Sequence, residues 1–395
     1  MNKNNLIDRE MAGVISGLFR YLPVITLTGP RQSGKTTLCR KIFSGLPYTN
    51  LEDLSTLAEL QNDPKAFIAK YPRGVIIDEA QNYPDIFSYL QIEVDKDRMD
   101  GSDRHFIVTG SNNFSLMQNV TQSMAGRTAV MSLMPLSTQE IIRYNGDTAT
   151  SELLLRGGYP AIWKTDLDGR RTLLANYYTT YVERDVRSLI HLKDLREFQT
   201  FIRLAAGRIG QEFNASVLSV EVGVSVPTVR NWLNVLAASY VVYLLQPYHA
   251  NVGKRLAKTP KLYFFDTGLA SFLLGINTVE QMDVHPLRGN LFENMVINDI
   301  LKHGANHGQE ERLFFYRDKS QREVDIVRAM PDNSIEAYEV KAGMTFNTEY
   351  FKHLQYLKSL FGDQLKRTMV LYDGEQENLQ PINGCCNFRT FKPAP

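Results

Sequence analysis

Gly29-Pro30-Arg31-Gln32-Ser33-Gly34-Lys35-Thr36 is the stretch that decides the fold of this chain. It fits the phosphate-binding pattern G-x-x-x-x-G-K-[ST]. Val24-Ile25-Thr26-Leu27-Thr28 before it reads as a buried strand, and Thr37-Leu38-Cys39-Arg40-Lys41-Ile42-Phe43 after it as the start of a helix. In that setting glycine lets the backbone wrap closely around phosphate oxygens. The helix N-terminus aims N–H groups at the same anions. The nucleotide-binding set expected here is Gly29, Pro30, Arg31, Gln32, Ser33, Gly34, Lys35, Thr36 and Thr37. Lys35 is expected to reach the β- and γ-phosphates and to count among the catalytic residues, and the Thr36 hydroxyl to bind Mg²⁺.

A P-loop needs a second strand that carries an acid to the metal. Gly74-Val75-Ile76-Ile77-Asp78-Glu79 supplies an apolar run ending in two carboxylates, as at the C-terminal tip of a central parallel strand. Asp78 is expected to hold Mg²⁺ through its water shell, and Glu79 to polarise the attacking water. A third strand, His105-Phe106-Ile107-Val108-Thr109, ends in Gly110-Ser111-Asn112-Asn113. Ser111 and Asn112 are candidates to sense the γ-phosphate; the alternative is an ordinary turn. Arg127 has two readings, a reader of γ-phosphate charge or a structural arginine.

Composition bounds the rest. A chain of 395 residues is too long for one ordinary core, so two or three domains are expected. Hydrophobic content of 43% and charged content of 22% are those of a soluble globular protein. A net charge of +1 gives no global signal for nucleic acid, although a local patch can hide in a neutral average. The three cysteines, Cys39, Cys385 and Cys386, form neither a disulfide framework nor a spaced zinc site, which suggests a reducing compartment. No apolar run approaches the roughly 20 residues of a membrane span. The N-terminal segment reads as a helix and lacks the apolar region of a signal peptide. A cytoplasmic protein with no membrane partner is expected.

The strings GPRQSGKTT, NLEDLS, VIIDEAQNYPDIFSYLQIEVD, FIVTGSNNFSLM and MAGRTAVMSLMPLSTQEI together resemble the AAA-like ATPases of bacteria and archaea, as do the later RGGYPAIW, YYTTYVERDV and KLYFFDTGLA. Such proteins carry a C-terminal domain of unknown function with a restriction-endonuclease-like fold. The resemblance covers nearly the whole chain. It implies an AAA-like α/β ATPase core and favours ATP as the nucleotide. The absence of an N-K-x-D guanine-reading motif agrees with that choice.

From about 137 to 191 the pattern turns helical and looks like the lid that follows an AAA core, with Arg156-Gly157-Gly158-Tyr159-Pro160 as a sharp break. Arg184 and Asp185 read as a nucleotide or domain contact, or as a local helix-surface pair. Residues 216–245 have a helix–turn–helix rhythm. Ser225 is the expected N-cap of the second helix and 240–248 a hairpin wing. Thr228, Arg230 and Asn231 would face DNA, yet that helix has a single basic residue, so a packing module is the alternative. The run Lys254-Arg255-Leu256-Ala257-Lys258-Thr259-Pro260-Lys261 is basic enough to offer phosphate contacts.

Glu293 on a helix, Asp325 on a strand, and Glu339-x-Lys341 on the next strand resemble the PD-(D/E)xK nucleases. Glu339 and Lys341 share a strand face. On this reading Glu293, Asp325 and Glu339 are ligands for Mg²⁺, and Asp325, Glu339 and Lys341 are catalytic. The metal would activate water, and Lys341 would orient it or stabilise developing charge. The alternative is a silent relic.

The expected architecture is an AAA-like P-loop ATPase core (1–136), a helical lid (137–195), a winged helix-turn-helix with its connecting hairpin (196–285) and a restriction-endonuclease-like α/β domain (286–395). The expected function is an ATP-hydrolysing switch coupled to a Mg²⁺-dependent nuclease acting on DNA or RNA. The alternative is a nucleotide-gated DNA-binding or protein-interaction regulator with a silent nuclease fold. Self-association and a protein partner both stay open.

Overall fold

The computed structural model describes residues 6–111, 124–183, 195–248 and 259–394. The chain divides into two units: one runs to Pro135 and includes the short pieces Ala238–Tyr240 and Gly304–Gln309; the other comprises the remainder.

The first unit is built on five parallel strands, β1 (Val24–Thr28), β2 (Tyr48–Asn50), β3 (Gly74–Asp78), β4 (His105–Thr109) and β5 (Thr128–Ser132). Their spatial order is β2-β3-β4-β1-β5. β1 and β3 are buried along their whole length, as strands covered on both faces must be. One face packs Val75, Ile77, Phe106 and Val108 against Phe87, Leu90 and Val94 of the helix Ile86–Asp100. The other packs Ile25, Leu27, Ile76 and Ile107 against Leu38 and against Met11 and Ile15 of the helix Met11–Leu18. Because the strands are parallel, every C-terminal tip lies on one edge of the sheet, where such folds place ligands.

The second unit holds β6 (Val242–Pro247), β7 (Lys261–Phe264), β8 (Leu313–Arg317), β9 (Glu323–Ala329), β10 (Ile335–Lys341), β11 (Leu365–Tyr372) and β12 (Gly384–Asn387) in one sheet, ordered β12-β11-β10-β9-β8-β6-β7. β8–β9 and β9–β10 are antiparallel; β10–β11 and β11–β12 are parallel. The helix Lys352–Phe361 covers one face through Leu354 and Leu357. Ahead of the sheet come the helices Thr138–Asn145, Thr150–Arg156, Leu167–Tyr177 and Leu195–Ala206. The helices Ala215–Val222 and Val226–Ala238 follow, joined by Gly223-Val224-Ser225. Ser225 caps the second of these, accepting from Thr228 N–H at 3.2 Å.

The hairpin expected as a wing differs from expectation. β6 and β7 do pair antiparallel, but β6 also pairs parallel with β8, so both belong to the large sheet. One sheet therefore runs across residue 285. Arg184, Asp185, Lys254, Arg255, Lys258 and Asn112 lie outside the described residues.

Gly74 opens β3 with φ +97°, and a Cβ there would meet the His105 carbonyl oxygen at 1.8 Å. Backbone on a neighbouring strand cannot yield as a side-chain tip can. Gly74→Ala is therefore expected to destabilise the protein by on the order of 3 kcal/mol. Chemical denaturation checks this; an unchanged midpoint would contradict it.

Candidate functional sites

At the C-terminal edge of the first sheet the loop after β1 turns through Gln32 (φ +60°) and Gly34 (φ +97°) into the helix Lys35–Ile42. Gly34 caps that helix in the left-handed region, where a Cβ is disfavoured. Lys35 is buried and folds back on its own loop, donating to the Gly29 and Pro30 carbonyls at 3.0 and 2.8 Å. Burial lowers its pKa to about 8, although Glu79 and Asp78 pull it upward. The Ser33 hydroxyl is fully buried with no hydrogen-bond partner among the described residues. Both features suit a loop shaped for an anion.

Asp78 ends β3 and is 3% exposed. Its Oδ2 accepts from the Thr36 hydroxyl at 2.7 Å and the Tyr48 hydroxyl at 2.9 Å. Its Oδ1 accepts from the Thr109 hydroxyl and, at 3.1 Å, from the Glu79 N–H. Thr36 and Asp78 thus present hard oxygen donors side by side, which fits Mg²⁺ bound mainly by phosphate and water. Glu79 follows with φ +56°, a left-handed conformation uncommon for a side chain of this size. Its carboxylate accepts from the Gln81 amide. Burial raises its pKa, the Gln81 bond lowers it, and the Asp78 charge adds to the rise. Ser111 lies just past Thr109 at the tip of β4 and is buried. Gly29, Pro30, Arg31, Gln32 and Thr37 belong to the same loop and first helical turn.

Arg127 is not with them. It precedes β5 at the N-terminal edge of the sheet, where Thr128 pairs with Val24 at the start of β1. Its guanidinium grips Asp95 through two bonds of 2.7 and 2.8 Å. The strand length separates it from its own P-loop. Sequence reading missed Tyr48, Thr109, Gln81 and Arg9. The Arg9 guanidinium holds the Ser33 and Met134 carbonyls at 2.7 and 2.6 Å. Thr109 alone carried a signal, as the last residue of an apolar strand.

In the second unit Glu293 lies on the helix Arg288–Asn306, Asp325 on β9, and Glu339 and Lys341 on β10. They are near enough for their charges to act on one another. Burial, then the charge of Asp325, pushes Glu293 and Glu339 well above the usual carboxylate range. Burial opposes the Lys341 charge, but Asp325 and Glu339 outweigh it and raise its pKa. Yet one oxygen of each carboxylate is already engaged. Glu293 Oε1 accepts from the Tyr263 hydroxyl and, at 3.3 Å, from Lys261. Asp325 Oδ2 accepts from Val340 N–H at 2.8 Å, and Glu339 Oε1 from Lys341 at 2.7 Å. Glu339 Oε2 is buried without a partner. Among the described residues no three His, Cys, Asp or Glu side chains are arranged to hold a metal ion. Lys261, expected in a basic phosphate-contacting run, is 4% exposed and ion-paired instead.

With this geometry in view, the comparisons define the class. A family model described as an AAA domain matches residues 22–142. Two described as domains of unknown function, DUF8612 and DUF4143, match 147–280 and 288–387. The first domain is an AAA-like P-loop ATPase domain. The uncharacterized proteins Rv2008c of Mycobacterium tuberculosis and Mb2031c of Mycobacterium bovis are each 30% identical to this chain over 377 residues, covering 93% of it and 80% of their own length. An uncharacterized protein of Haemophilus influenzae is 23% identical over 312 residues, covering 70% of this chain and 74% of its own. The chain belongs to the family of these mycobacterial proteins. The Walker-type ATPase PABY2304 of Pyrococcus abyssi shares 16% identity at a TM-score of 0.42, covering 68% of this chain and 96% of that one. The RuvB Holliday junction branch migration motor of Thermotoga maritima shares 18% at 0.32, covering 60% and 89%. The likeness to both is distant. No helix among the described residues is long and apolar enough to cross a membrane.

Arg127→Ala should leave ATP turnover per chain unchanged in a phosphate-release assay. Lost turnover would mean that Arg127 reaches a phosphate, which this placement permits only in another copy.

Proposed function

We propose that the chain is an ATP-hydrolysing switch. The observation that carries this reading is the meeting of Thr36 and Asp78 at 2.7 Å, with Lys35 in the loop and Glu79 next along. Thr36 and Asp78 would hold Mg²⁺, which would supply neutralisation of the phosphate charge. Lys35 would leave its loop carbonyls for the β- and γ-phosphates, gaining the counter-charge that its burial denies it. Glu79, steadied by Gln81, would take a proton from water. The water oxygen would bond to the γ-phosphorus as the bond to the β–γ bridging oxygen breaks, releasing ADP.

The nuclease expected from the sequence needs a metal cage, and the carboxylates as folded do not form one. The non-cutting alternative is therefore our reading of the C-terminal domain: a nucleotide-gated regulator. Nucleic acid is its proposed partner. The support is the exposed face of the helix Val226–Ala238, which presents Arg230, Asn231 and Asn234. A two-helix unit can lay such a face in a major groove.

Three measurements test this. Lys35→Ala should lose most ATP affinity in a binding titration. Glu79→Gln should bind ATP as wild type does and turn it over about 10² to 10⁴ times more slowly; wild-type turnover in that variant would remove Glu79 from the mechanism. Arg230→Ala should lower the slope of log affinity for duplex DNA against log salt by about one. An unchanged slope would make the helix pair a packing module.

A further inference from the structure

Lys261 opens β7, and its ammonium lies 3.3 Å from Glu293 Oε1 and 2.5 Å from Glu323 Oε1. It also stands 5.5 Å from the centroid of the Phe315 ring. Glu323 in turn meets Arg317 at 3.5 Å, and Arg317 meets Glu212 at 2.7 Å. Opposite charges alternate along Glu293, Lys261, Glu323, Arg317 and Glu212. Lys261 is thus held from two sides by carboxylates, one of which has a second cation behind it. Tyr263 sits two residues on, on the same strand face, and donates to the same Glu293 oxygen. A single strand therefore delivers an ammonium and a phenol to Glu293 on the helix Arg288–Asn306.

A divalent cation needs several oxygens turned on one point. An ammonium held between those oxygens opposes it, because like charges at contact distance repel strongly where water is scarce. At Glu293 that place is taken. Pulling Lys261 away would uncover the Glu323 and Glu293 charges together, and breaking a buried ion pair is strongly unfavourable.

We propose that Lys261 is the resident counter-cation of the C-terminal carboxylate cluster and excludes divalent metal from it. This rests on the non-cutting reading of that domain. Glu293 is neutralised from within the chain, and the cluster joins β7 to the helix and to β9 without a metal. With the ammonium removed, the oxygens of Glu293 and Asp325, together with Glu339 Oε2, which has no hydrogen-bond partner, would be left for a cation to draw together.

The test is Mn²⁺ alone, titrated into nucleotide-free full-length protein, with bound ions counted by electron paramagnetic resonance. Asp325→Asn marks which ions belong to the cluster. Wild type and Lys261→Arg are expected to hold no Asp325-dependent Mn²⁺, and Lys261→Met to gain one such ion. Should Lys261→Met not fold, Lys261→Met with Glu323→Gln, which removes one charge of each sign, takes its place. An Asp325-dependent ion in wild type overturns the proposal, and so does a folded Lys261→Met that gains none. Metal-dependent cleavage of nucleic acid by wild type, lost in Asp325→Asn, would defeat the non-cutting reading as well. A bound ion without cleavage would defeat only the exclusion by Lys261.

Discussion

The first unit is organised around one carboxylate. Asp78 accepts from Thr36 on the helix after the P-loop, from Tyr48 on β2, from Thr109 on β4 and from the Glu79 N–H that follows it. These bonds tie three of the five strands and the phosphate loop to a single buried group. A carboxylate at 3% exposure needs such donors, because a buried polar group left without partners is costly. One of these donors, Thr36, is also the residue that the proposed mechanism assigns to the metal. The geometry that satisfies Asp78 is the geometry that prepares the site.

The two acidic sites use different donors, and the difference decides what each can accept. Around Asp78 the partners are mostly neutral hydroxyls, which can rotate toward another acceptor. A cation can join such a shell with little loss. Around Glu293 and Glu339 the partners include the ammonium groups of Lys261 and Lys341. Breaking the buried Lys261 pair costs about 3–5 kcal/mol, more than turning a hydroxyl, whereas Lys341 is partly exposed. Hard oxygen donors occur in both places, but only the second set is tied to ammonium groups.

What the sequence disclosed follows from range. The P-loop, the acidic tip of β3, the capped helix at Ser225 and the β8–β10 meander all announce themselves within a few residues, through motif, alternation or cap chemistry. Tyr48 was illegible because its role depends on β2 lying beside β3, an adjacency that no local pattern reports. Thr109 needed the same knowledge of β4. Lys261 was misread because a cluster of basic residues ordinarily means a solvated face. Its burial follows from β6 joining β8, a pairing between distant parts of the chain. Arg127 was in principle readable: a residue just before a parallel strand stands at the edge away from the ligand.

The pairing of β6 with β8 has a consequence for how the protein is made. β6 and β7 are synthesised well before β8 to β12, and the helix Arg288–Asn306 comes between them. Until β8 arrives, one edge of β6 offers unpaired backbone donors and acceptors, the kind of surface that recruits foreign strands. The boundary that separates the two matched domains of unknown function, between residues 280 and 288, is thus a seam in sequence only. A gene fragment ending there would leave a sheet with its larger part missing. A cut at that seam would part strands that this sheet hydrogen-bonds to each other.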